Sequence, residues 1–171
     1  MSSLPASPRT YLGVLHRLRE RGVTFVVTGS LALRLYMDEL DGEAVPDCDL
    51  FLDPAPDNLQ RWAATLTEEG WTLEAWGERV SPPLDVEHLR GKYYVRAKRG
   101  AWVIDGTYEH DTVPMARFFA EATPVQGLPV MELDMLLALK RERGTPRDLE
   151  HVAQVERWRQ RHQTGKPPPH P

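Results

Sequence analysis

The sequence predicts an α+β fold of the α/β type, and three observations carry that expectation. Short apolar runs of strand length alternate with amphipathic stretches at helical spacing. Clusters of Gly, Pro and Asp punctuate the joins between them. Two β-rich stretches, residues 92–97 and 101–108, flank Lys98-Arg99-Gly100 and read as a hairpin. The chain has 171 residues, 41% of them hydrophobic, enough to bury one core. We expect a single domain over residues 1–164 and a disordered Pro-rich tail over residues 165–171.

The elements follow in order. The first helix is expected to take Ser7 as its cap and Pro8 in its first turn, to bury Leu12, Leu15 and Leu18, and to stop at Gly22. Residues 23–28 are continuously apolar, as in a buried strand. Gly29-Ser30 turns into a helix through about Leu40, with Leu31, Leu35 and Leu40 inward. A polar loop over 41–46 leads to a second strand, 49–52, closed by Asp53-Pro54-Ala55-Pro56. The next helix uses Leu59, Trp62, Ala63 and Leu66 and ends at Gly70. Residues 71–76 read as a strand, and Pro82-Pro83 interrupts a segment without a clear pattern. After the hairpin come a helix around 116–122, a short edge strand at 127–130, and two closing helices, 132–143 and 146–161. Thr145 caps the last helix, with Asp148 at the capping-box position.

Charge and cysteine content exclude several classes. The net charge of −4 gives no basic field to draw the whole molecule onto nucleic acid, which leaves only local basic patches. Cys48 is the sole cysteine, so an internal disulfide and a cysteine-rich zinc site are excluded. The opening Met1-Ser2-Ser3-Leu4-Pro5 lacks a signal-peptide pattern, and no apolar run nears the roughly 20 residues that span a bilayer. A soluble, cytoplasmic protein is expected.

The chemistry concentrates in two motifs. Asp47 and Asp49 flank Cys48, so on a strand both carboxylates face one way while Cys48 faces the core. Two like charges side by side call for a cation between them. A hard ion such as Mg²⁺ fits, and it commonly arrives on substrate phosphates. Gly29-Ser30, at a strand-to-helix turn, offers backbone N–H groups suited to a triphosphate. A third carboxylate on a neighbouring strand would complete the site and help activate a nucleophile, and Asp105 is the best candidate.

The order Gly-Ser, helix, Asp-x-Asp, later strand Asp resembles that of the polymerase-beta-like nucleotidyltransferase superfamily. The closing segments Leu133-Asp134-Met135-Leu136-Leu137-Ala138-Leu139-Lys140 and Gly144-Thr145-Pro146-Arg147-Asp148-Leu149 resemble the ending of minimal nucleotidyltransferases related to abortive-infection type E toxins. The resemblance implies a mixed sheet flanked by helices and a Mg²⁺-dependent transferase that uses a nucleoside triphosphate. By motif position it implies metal carboxylates at Asp47 and Asp49, the third carboxylate at Asp105, the phosphate turn at Gly29 and Ser30, and a lysine close to the site at Lys140. It further implies the toxin of a bacterial toxin–antitoxin pair, with tRNA or protein as acceptor and an antitoxin as partner. The chain departs from relatives after Asp105, where Gly106-Thr107-Tyr108 replaces an apolar continuation.

Other readings stay open on the residues alone. The acceptor is alternatively a small molecule of the aminoglycoside kind, or the fold serves as a non-catalytic nucleotide-binding or interaction module. Ser30 reads either as a phosphate contact or as a helix cap, and Lys140 as a substrate contact or part of a solvated basic face. Arg90, Lys92, Tyr93, Tyr94, Arg96, Lys98 and Arg99 form either a charge-protected sheet edge or a docking surface for a phosphate-rich substrate such as RNA. Trp62, Trp71, Trp76 and Trp158 read as core residues.

Overall fold

In a computed structural model of the chain, residues 8–40, 45 and 47–164 are described. The first half of the chain runs α1 (Pro8–Glu20), β1 (Phe25–Thr28), α2 (Gly29–Met37), β2 (Cys48–Leu52), α3 (Pro56–Glu68), β3 (Thr72–Ala75), β4 (Glu78–Val80). It continues through α4 (Val86–Leu89), β5 (Tyr94–Arg99), β6 (Trp102–Thr107), α5 (Met115–Ala120), β7 (Thr123–Val125), β8 (Leu128–Val130), α6 (Leu133–Arg143) and α7 (Pro146–Thr164). The chain groups into two compact units, Met1–Glu132 and Leu133–Pro171. Ser7, the loop at 41–46 apart from the buried Val45, and the tail at 165–171 lie outside the described residues. No helix among the described residues is long and apolar enough to cross a membrane.

The first unit holds all eight strands in one sheet, ordered β4-β3-β5-β6-β2-β1-β8-β7. β2 with β6 and β1 with β8 are parallel, and the remaining neighbours are antiparallel, so the sheet is mixed as expected. Side chains alternate between its faces. One face takes Cys48, Leu50, Leu52, Leu73, Ala75, Val95, Ala97, Ile104 and Gly106, all buried. Trp62 of α3 packs there so closely that a Cβ at Gly106 would sit 2.8 Å from its ring and 2.7 Å from Leu52. That closeness explains why a glycine follows Asp105. The other face carries Asp49, Phe51, Asp105, Arg96, Lys98 and Glu74, and the Phe51 ring meets Phe118 of α5 edge-on at 4.5 Å with the His110 ring 6.1 Å away.

Several boundaries differ from expectation, for local reasons. α1 ends in a Schellman closure in which the Gly22 N–H donates to Arg19 O and the Val23 N–H to Leu18 O, so the strand starts only at Phe25. In α1, Tyr11 and Val14 join Leu15 and Leu18 in the core, while Leu12 is half-buried. α2 stops at Met37 because Asp38 takes a left-handed conformation at φ 55°, and Leu40 is buried beyond the helix. The strand at 128–130 is not an edge: β7 folds onto it through Gln126-Gly127, both at positive φ (50° and 77°), and takes the edge itself. Trp76-Gly77 (φ 51° and 80°) makes an equivalent turn between β3 and β4. Trp76 is therefore 65% exposed rather than core, with its indole N–H donating to Lys92 O at 2.9 Å. Trp62 and Trp71 are buried as expected, and Trp158 is half-buried on α7.

The second unit is a helical hairpin. Gly144, at φ 64°, breaks α6 from α7, and the Asp148 N–H donates to Thr145 Oγ1 while Thr145 N–H donates back to Asp148 Oδ2. That is the expected capping box. Leu133, Leu136 and Leu137 of α6 and Val152 and Val155 of α7 are its buried apolar residues.

Candidate active site

Register brings the carboxylates together. Asp49 pairs with Thr28 on antiparallel β1 and with Asp105 on parallel β6, and residues in register share a face. Asp47 lies two residues before Asp49, just ahead of β2, on the same side. Oxygens of Asp47, Asp49 and Asp105 all lie within 4.8 Å of one another. This is the only group of three or more metal-ligating side chains among the described residues. Asp105 is buried and the other two half-buried. An all-oxygen, anionic donor set of this size suits a hard divalent cation, which would also relieve the mutual repulsion.

The turn after β1 is shaped around Asp49. Gly29 has φ +69°, and a Cβ there would fall 2.4 Å from Asp49 Oδ2 and 3.1 Å from its Cβ and Cγ. Only glycine combines that backbone with that approach. The carboxylate thus rests against the first turn of α2, whose leading N–H groups have no helical partner. Thr28, not Ser30, occupies the cap position, and it makes no side-chain cap bond; its hydroxyl lies 3.5 Å from Met131 Sδ. Ser30 is half-buried in the first helical turn, so the reading of Ser30 as the cap is corrected.

Cys48 points away from the carboxylates and is fully buried. Burial pushes its thiol well up, and the fields of Asp49, Asp105 and Asp47 push it further.

Arg96, expected only as one cation of the hairpin's charged surface, joins the carboxylates. Its Nε donates to Asp105 Oδ1 at 2.8 Å and its Nη2 to Oδ2 at 3.0 Å, a two-pronged pair. The hydrogen bonds to Asp105 are the main reason the guanidinium holds its proton more tightly than usual. The signal was present in the hairpin but masked by loop placement. A loop over Lys98-Arg99-Gly100 sets Ala97 opposite Ala101, and hence Tyr93 opposite Asp105. The observed loop is Gly100-Ala101, with Arg99 opposite Trp102 and Arg96 opposite Asp105.

The other cations of the segment are engaged as well. Lys98 pairs with Glu74 at 2.9 Å, Arg90 with Glu87 at 3.0 Å, and Lys92 Nζ lies 2.9 Å from His88 Nε2. The Arg99 guanidinium lies over both Trp71 and Trp102, 5.0 Å and 4.7 Å from the ring centres, and donates to Glu69 O. β5 is an interior strand between β3 and β6, so the sheet-edge reading does not apply. Arg34 pairs with Glu39 at 3.0 Å.

Lys140 belongs to the second unit. It is buried rather than on a solvated face, with Nζ 3.1 Å from His151 Nδ1 and 3.8 Å from Asp148. Asp148 is also buried and takes a two-pronged pair from Arg143, whose hydrogen bonds hold its carboxyl well below the usual range.

Solved structures share this architecture. ANT(2")-Ia, solved with adenylyl-2"-tobramycin, is 16% identical at a TM-score of 0.53, over 91% of this chain and 98% of that one. The Megavirus polyadenylate synthase is 12% identical at 0.54, over 85% of this chain and 31% of that one. A candidate nucleotidyltransferase from Thermotoga maritima is 15% identical at 0.50, over 90% and 94%. No family model and no curated protein sequence matches the chain. The likeness is one of fold: the mixed sheet with flanking helices seen here is the nucleotidyltransferase fold.

Proposed function

We propose that the protein is a Mg²⁺-dependent nucleotidyltransferase that moves a nucleoside monophosphate from a nucleoside triphosphate to an acceptor hydroxyl. The observation that carries the reading is the joint placement of three carboxylates and the Gly29 turn. Oxygens of Asp47, Asp49 and Asp105 cluster within 4.8 Å, and the Asp49 carboxylate touches the start of a helix. Cation and triphosphate would therefore share one site.

Asp47 and Asp49 hold the cation, with Asp105 as the third ligand. A bound divalent ion supplies positive charge to the triphosphate and to the departing pyrophosphate. The N–H groups at Gly29 and Ser30 receive phosphate oxygens at the helix N-terminus. Asp105 takes the proton from the acceptor hydroxyl. The acceptor oxygen then bonds to the α-phosphorus, the bond from that phosphorus to the bridging oxygen breaks, and pyrophosphate leaves with the electron pair. Lys140 is assigned to phosphate or substrate binding by the resemblance alone; within its own unit its partners are Asp148 and His151.

The closing motifs favour RNA, such as tRNA, or a protein hydroxyl as acceptor, with the enzyme as a bacterial cytoplasmic toxin countered by an antitoxin. A small-molecule acceptor is the second reading, favoured by the match in extent to ANT(2")-Ia, 98% of which is covered. The test is incubation with each labelled triphosphate, Mg²⁺, and tRNA, protein lysate or tobramycin, beside Asp47→Ala/Asp49→Ala. Label on an acceptor that vanishes with the aspartates supports the reading and names the acceptor class. Label that persists in the double variant, or nucleotide binding indifferent to it, refutes the site.

A further inference from the structure

We propose that Arg96 is a positioning residue that holds Asp105 in reserve. A divalent cation would then engage Asp47 and Asp49 first and recruit Asp105 only when the guanidinium swings away. The proposal rests on the metal-site reading above and adds an order to its assembly.

Three observations carry it. Both oxygens of Asp105 are committed to one guanidinium, at 2.8 and 3.0 Å. A cation approaching that carboxylate meets a full positive charge already bonded to it. Second, the pair is built into the sheet: Arg96 and Asp105 are register partners on β5 and β6, in the row that continues to Asp49 and Thr28. The contact therefore comes with the strand pairing and is not a chance surface encounter. Third, the two partners differ in freedom. The Asp105 side chain is 12% exposed, whereas that of Arg96 is 35% exposed and lies over the Tyr94 ring, 5.9 Å from its centre. The carboxylate is held in place and the guanidinium has room to leave.

Buried charge explains why such a partner is needed at all. Asp105 lies within reach of two further carboxylates, and a third anion packed there without a counter-charge would strongly disfavour the folded state. Arg96 supplies that charge until the cation does. Exchange of one positive partner for another keeps Asp105 compensated throughout.

The test is Mn²⁺ binding to the full chain by calorimetry, a readout that needs no turnover. Wild type, Arg96→Gln, Asp105→Asn and the double variant Arg96→Gln/Asp105→Asn form a cycle. Removing the arginine takes away the competitor for both Asp105 oxygens and should tighten Mn²⁺ binding by about tenfold, the low end of measured couplings between close charge pairs. The gain should disappear when Asp105 is also asparagine. Arg96→Lys keeps the charge and loses the two-pronged fit, so it should give an intermediate gain; it also serves if Arg96→Gln fails to fold. A gain that persists without Asp105, or none in either Arg96 variant, overturns the proposal and leaves the metal site standing. Mn²⁺ binding that is absent in wild type, or unchanged by Asp47→Asn/Asp49→Asn, overturns the site itself.

Discussion

Replacing Gly29 by alanine tests the join between fold and site, because two separate penalties meet at that residue. The first is conformational: at φ +69° an L side chain is strained, at about 1–2 kcal/mol. The second is steric: the new Cβ would sit 2.4 Å from Asp49 Oδ2 and 3.1 Å from two further Asp49 atoms. Overpacking of this kind adds about 1–3 kcal/mol. Gly22 provides the control, since it has φ +78° but its nearest neighbour to a new Cβ is Arg61 Cδ at 3.9 Å. Gly22→Ala should therefore show only the first penalty and Gly29→Ala both. The expected difference of about 2 kcal/mol corresponds to about 4–8 °C in Tm for a chain of this size. Thermal or urea unfolding of the two variants measures it, with Mn²⁺ binding as the second readout. Asp49→Ala in the Gly29→Ala background should recover much of the steric part, because the clash partner is gone. Equal destabilisation by the two alanines, or no recovery in the double variant, would refute the argument that the turn is shaped around Asp49.

Three further outcomes follow from the geometry. Gly106→Ala should destabilise by about 1–3 kcal/mol in urea unfolding, because its Cβ would lie 2.7 Å from Leu52 and 2.8 Å from Trp62. Asp148→Asn should cost about 3 kcal/mol, the low end for breaking a buried pair, since Arg143 is largely exposed. The folded Asp148 carboxyl titrates below its unfolded counterpart, so its stabilisation is complete above about pH 4 and is lost as pH falls through the folded value. Wild-type unfolding free energy should therefore fall more steeply below pH 4 than that of the variant. Gln126→Asn should leave stability unchanged within about 0.5 kcal/mol, because asparagine's tolerance of the left-handed conformation at φ 50° offsets loss of the long Nε2 bonds to Leu35 O and Asp38 Oδ1; a larger change in unfolding free energy in either direction would contradict this.

Period and punctuation determined the parts of this protein that depend on nearest neighbours. The buried run at 25–28, the strand expected at 49–52, the amphipathic face of Trp62, Ala63 and Leu66, and the Thr145–Asp148 cap are all local, so the sequence alone carried them. So was the shared face of Asp47 and Asp49, because alternation along a strand needs no partner. Turn chemistry was less legible where residue types were unusual. Trp76-Gly77 and Gln126-Gly127 adopt left-handed pairs that the sequence signals only through the glycine, and two short strands were missed with them.

Tertiary structure alone decided what lies beside what. That β6 runs parallel to β2, putting Asp105 next to Asp49, is a matter of strand order across more than 50 residues of chain, which no spacing encodes. The role of Gly106 as the gap that admits Trp62, and of Gly29 as the gap that admits Asp49, is likewise set by what packs against them. Arg96 shows the limit most plainly. Placing the hairpin loop at 98–100 instead of 100–101 moves the register by three residues and sets Tyr93 rather than Arg96 opposite Asp105, and with it a ring rather than a charge. Local sequence fixes which way a side chain points, but only pairing between distant strands fixes which side chain it meets, because that choice is made by the burial of the whole sheet.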